Sequence, residues 1–172
     1  DTLQKCLSLG ESTAAEDRSD LGRFGYGLKG ASINQTRKIN VYSWQKGHEN
    51  SWVAYLDIDE IANEDLKKLP KIKQEFIPSN FVKYIDKSKN SGTLVIWSTI
   101  DRMRSKRPRA FIDSNYQSAL VRDLSRIFRH YLDDDDEYGQ KKHIIVHTID
   151  KDGENINEPM TLLANDPLFL LT

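Results

Sequence analysis

Gly22, Gly25 and Gly27 stand within six residues, directly ahead of a predicted helix over 28–34. Glycine takes a left-handed backbone freely and leaves no Cβ in the way of a ligand. A helix starting there turns its free N–H groups and the positive end of its dipole toward the loop. That arrangement suits an anion, and phosphate is the usual occupant. Arg23 and Lys29 flank the loop and are charge-assisted donors for phosphate oxygens. Lys29, in the first turn of the helix, can equally run out to solvent. Phe24, Tyr26 and Leu28 read as packing residues that offer only their backbone N–H groups to a ligand. Ser12 and Thr13, in the polar stretch 10–20, either donate to a phosphate or face water.

The spacing excludes the two commonest nucleotide loops. Gly22-x-x-Gly25-x-Gly27 is not the dinucleotide fingerprint, and no apolar strand precedes it. Lys29 lacks the Gly before it and the Ser or Thr after it that a Walker A loop requires. The run Gly22-Arg23-Phe24-Gly25-Tyr26-Gly27-Leu28-Lys29-Gly30-Ala31-Ser32 instead resembles the second glycine box of the gyrase B, heat-shock chaperone, histidine kinase and mismatch-repair ATPases (GHKL superfamily). The likeness is closest to the heat-shock-chaperone and microrchidia branches. Upstream, Leu3 to Ser12 resembles the helix and turn that lead into the mobile lid of that family. Downstream, Gly92-Thr93-Leu94-Val95-Ile96-Trp97 resembles its late Gly-Thr strand. The resemblance spans roughly residues 1–135.

The resemblance implies ATP and Mg²⁺ as ligands. Gly22, Arg23, Phe24, Gly25, Tyr26, Gly27, Leu28 and Lys29 would lie on the phosphate side, with Ser12 and Thr13 in the lid and Thr93 at the adenine edge. It further implies slow ATP hydrolysis, lid closure and an ATP-dependent homodimer. The family's catalytic Glu, Mg-binding Asn and Asp-x-Gly-x-Gly turn have no counterpart in this sequence. The chain is therefore expected to be a fragment of a longer protein, with the catalytic Glu and the metal ligand upstream of it. The alternative reading is a non-catalytic interaction module derived from such an ATPase.

Other reactive side chains form no comparable constellation. His143 and His147 sit i, i+4 on a predicted strand, roughly 13 Å apart, too far to share a zinc. Cys6, the lone cysteine, has no His arranged around it to argue for a nucleophile and reads as a small core residue in a reducing cytosol. The run Arg102, Arg104, Lys106, Arg107, Arg109 offers nucleic-acid phosphates a basic loop but carries no interleaved aromatics. The carboxylates at 133–137 read as a solvated linker. With 30% charged and 38% apolar residues and a net charge of −1, the 172-residue chain has the composition of a globular domain without a global pull toward nucleic acid or membrane. No run reaches the ~18 apolar residues of a membrane span.

These residues need a scaffold. Periodicity predicts a helix through residue 9, then strands over 38–45 and 52–59 joined by a turn at 47–50 and hence antiparallel. Short helices are expected at 63–69 and 79–87. The run Leu94-Val95-Ile96-Trp97 predicts a strand over 92–99 buried on both faces. A helix over 114–132 should bury Leu120, Leu124, Ile127, Phe128 and Tyr131. Beyond the acidic run, strands are expected at 143–149 and 155–158 around a turn at 150–153. The expected fold is α/β, a two-layer sandwich with a mixed, mainly antiparallel sheet. This is the Bergerat type of the GHKL enzymes without its N-terminal part, over 1–135, followed at 138–172 by the start of a transducer-like α/β domain.

Overall fold

A computed structural model of the chain describes residues 2–8, 27–64, 70–101, 118–133 and 141–165. It falls into two compact units, Asp1–Met103 and Arg104–Thr172.

The first unit is a four-stranded antiparallel sheet of order β3-β2-β1-β4. Its strands are β1 (Thr36–Trp44), β2 (Trp52–Asp57), β3 (Lys73–Gln74) and β4 (Gly92–Ile100). The helices are α1 (Thr2–Lys5), α2 (Gly27–Ile33), α3 (Ile58–Glu64) and the single-turn α4 (Ser79–Val82). This is the α/β sheet-and-helix architecture expected from the sequence.

β1 is the central strand, and its alternation sets the two faces. Ile39 and Val41 point to one side with Ala54 and Leu56 of β2. There they meet Leu3, Cys6 and Leu7 of the α1 region, Leu28 and Ile33 of α2, and Ile61 of α3. Tyr42 and Trp44 point to the other side with Val53. That face is covered by Ile77, Phe81, Val82 and Ile85, the segment that carries α4. Burying each such aliphatic side chain is worth about 1.5–3 kcal/mol.

The turn after β1 requires Gly47, whose φ is 84°; a Cβ there would also run into the Glu49 carboxylate. Gly92 is required for a different reason. It lies opposite Trp44, and a Cβ on it would approach the indole to 2.4 Å.

Three sequence expectations for this unit are corrected. Strand β2 ends at Asp57 because that side chain caps α3, accepting from the N–H groups of Asp59 (3.0 Å) and Glu60 (3.3 Å). The helix expected at 63–69 therefore starts at Ile58. Among the described residues β4 lies at the edge of the sheet, and Val95 and Trp97 are each 40% exposed, so it is not buried on both faces. Helix α4 covers only the first turn of the stretch expected at 79–87.

The second unit holds α5 (Ala119–Ile127), α6 (Arg129–Leu132) and the two-stranded pair β5 (Ile145–Val146) with β6 (Met160–Thr161). Ser118 caps α5 by accepting from the Val121 N–H at 3.1 Å. The buried stripe is Val121, Leu124, Phe128 and Leu132, packed on Leu162 and Met160, and Ile127 faces out. The expected stripe through Leu120, Ile127 and Tyr131 was therefore rotated by one position. The helix also breaks at Phe128. The return strand expected at 155–158 is reduced to one bridge, Ile149 to Asn155, and the pairing strand is β6.

Candidate functional site

A cleft of about 840 Å³ opens on the face of the first unit's sheet that carries α1 and α2. Its floor is strand backbone and alternate side chains. Val95, Val41 and Ala54 occupy one lateral row through the pairs Val41–Val95 and Val41–Ala54. The next row runs Thr93, Ser43, Trp52, Gln74 across β4, β1, β2 and β3. Directly paired residues share a face. Val41, Val95 and all four members of the second row line the cleft. Thr2 and Leu3 of α1, Cys6 just after it, and Leu28 of α2 close it on the helical side, and Gln45, Lys46 and Asn50 stand at the hairpin end.

Two side-chain ties hold the helices over the sheet. Gln4 donates from Nε2 to the Pro70 carbonyl (3.0 Å) and accepts on Oε1 from the Ile72 N–H (2.9 Å). The Trp97 indole donates to Ser32 Oγ at 2.9 Å, binding β4 to α2. Farther along the sheet, Arg37 grips Asp59 through Nε and Nη2 and reaches Asp101 through Nη1. The hydrogen bonds that Arg37 donates to Asp59 raise the Arg37 pKa further, and they hold the Asp59 carboxyl below its usual range.

Of the residues singled out from the sequence, Ser12, Thr13, Gly22, Arg23, Phe24, Gly25 and Tyr26 lie outside the described residues. Gly27 is the first residue of α2, and its φ is not positive. Among the described residues a Cβ built on Gly27 meets nothing within 4 Å. Leu28 is half-buried, packs on the Ile39 cluster and also reaches the cleft. Lys29 is buried and donates from Nζ to the Ser8 carbonyl, tying α2 to the end of α1. Thr93 is exposed on the cleft floor. The structure thus brings Leu28 and Thr93 to one cavity.

Ser43, Trp52, Gln74 and Val95 were missed. Ser43 and Trp52 could have been paired by counting across the hairpin, but β3 and β4 register carries no local signal. Cys6 also reaches the cleft, yet burial pushes its thiol up, only partly opposed by the Lys29 ammonium. A protonated thiol is a poor nucleophile. Among the described residues no three His, Cys, Asp or Glu side chains converge on a metal position, so these residues do not themselves fit Mg²⁺.

Residues 1–93 match the family model described as histidine kinase-, DNA gyrase B-, and HSP90-like ATPase. No curated protein and no solved structure matches the chain significantly. Among the described residues no helix is long and apolar enough to cross a membrane.

Proposed function

The chain belongs to this family of histidine kinase-, gyrase B- and HSP90-like ATPases, and from that premise we propose that its cleft holds ATP. The observation carrying this reading is the convergence of Leu28, which follows the glycine box, with Thr93 of the Gly-Thr strand. Backbone N–H groups of residues 23–28 would hold the β- and γ-phosphates. Gly22, Gly25 and Gly27 keep that backbone accessible. Arg23 adds a charge-assisted donor, and Ser12 and Thr13 close over the phosphates with the lid. Lys29, committed to Ser8, anchors the helix that presents the loop. Thr93 faces the base.

Gly27 carries the test. Among the described residues its Cβ position is open, which supports the approach of a ligand as the reason for glycine. Gly27→Val in the full-length protein should abolish ATP binding by calorimetry and leave the unfolding midpoint nearly unchanged. A folded variant with near-normal affinity would overturn the assignment.

Within the family we place the chain nearest the heat-shock-chaperone and microrchidia branches, where nucleotide binding closes a lid, moves a following domain and drives dimerisation. Residues 138–172 would begin that following domain. Sedimentation of the full-length protein should show a dimer with a non-hydrolysable ATP analogue and a monomer without it. A monomer under both conditions refutes the dimer.

A further inference from the structure

The cleft has a feature that phosphate binding does not use. The row Thr93–Ser43–Trp52–Gln74 crosses all four strands, about three strand spacings or roughly 14 Å. Its members are two hydroxyls, an indole and an amide, a different composition from the apolar row Val95–Val41–Ala54 beside it. Among the described residues none of these four side chains hydrogen-bonds to another protein group. Trp52 is 44% exposed, whereas Trp44, on the other face, is 6% exposed. An indole left that open above an apolar floor presents a large flat surface for another ring.

We propose that this row selects the base of the bound nucleotide, with the Trp52 indole stacking on the purine and the Gln74 amide reading its edge. The inference rests on the ATP reading above and adds two residues to it. Val41 and Val95 form an apolar floor beneath the heterocycle. The Ser43 and Thr93 hydroxyls each donate and accept, and the Gln74 amide offers both functions, so the row can answer the alternating acceptors and amine of adenine. Guanine presents a carbonyl where adenine has its amine, and the Gln74 amide distinguishes them when its oxygen faces that position. Selectivity for adenine would therefore reside on β1, β2 and β3 as well as on the Gly-Thr strand.

The test uses the full-length protein and three probes: ATP, GTP and inorganic tripolyphosphate. Trp52→Ala should weaken ATP about ten-fold, the scale of one lost aromatic–base stack, and leave tripolyphosphate unchanged. Trp52→Phe keeps a ring and should retain most of the affinity. It should also lose most of the tryptophan fluorescence quenching that ATP produces in the unmodified protein, a readout that survives if Trp52→Ala folds poorly. Gln74→Ala should narrow the preference of ATP over GTP. Equal ATP affinity in folded Trp52→Ala, or unchanged quenching in Trp52→Phe, overturns the proposal while the ATP reading stands. An unmodified protein that binds tripolyphosphate with no preference among nucleosides does the same. Binding of none of the three probes overturns the ATP reading and this inference with it.

Discussion

The two faces of the first unit's sheet are built from the same strands yet finished differently. On one face Tyr42, Trp44 and Val53 are sealed under Ile77, Phe81 and Val82. On the other, Ile39 and Leu56 are sealed under α1–α3, but the cover stops short and leaves Val95, Trp52 and Thr93 open. The sealed face shows what this sheet needs in order to fold. The open end of the other face shows what it can spare, and apolar area left in water is worth explaining when it is contiguous and concave.

Stability measurements on matched substitutions sharpen this contrast. Val53→Ala should lower unfolding stability by about 2 kcal/mol, from two lost methyl groups plus a cavity that the packed face cannot close. Val95→Ala removes the same atoms from a half-open site and should cost under about 0.5 kcal/mol in urea titration. Equal losses at the two positions would mean that the open end is structural core.

A smaller effect distinguishes the faces by pH. Glu75 is held low by the Lys73 ammonium and by the Tyr42 hydroxyl, and Asp57 by the Lys38 ammonium. Both belong to the sealed face, through Tyr42 and the pair Lys38–Asp57. Because these carboxyls bind protons more weakly in the fold than in the unfolded chain, their stabilisation is complete at neutral pH and fades as pH falls below about 4. These ion pairs are partly solvated, so the effect is modest. Asp57→Asn should flatten the acid limb of stability against pH, and an unchanged limb would remove Asp57 from this account. On the alkaline side Tyr42, its pKa pushed up to about 12 by burial and then by Glu75, remains neutral past its ordinary range.

Legibility from sequence followed the same division. The β1–β2 hairpin was readable because its alternation and Gly47 agree with each other. Thr93 and Leu28 were singled out because local motifs mark them, and both line the cleft. β4 was misjudged because Leu94-Val95-Ile96-Trp97 has no period to reveal an open side, and an edge position is a property of the whole sheet. The α5 stripe was misplaced by one residue because apolar and half-exposed positions alternate there, and Leu162, far along the chain, decides which of them is covered. Trp52 and Gln74 gained meaning only when register aligned them with Ser43 and Thr93.

The Gln4 amide links α1 to backbone 66 and 68 residues along the chain by occupying both the Pro70 carbonyl and the Ile72 N–H. It does for α1 what a neighbouring strand would do, completing the backbone just before β3. A helix joined in this way is a splint: through one amide, α1 braces the approach to β3 along the rim of the cleft.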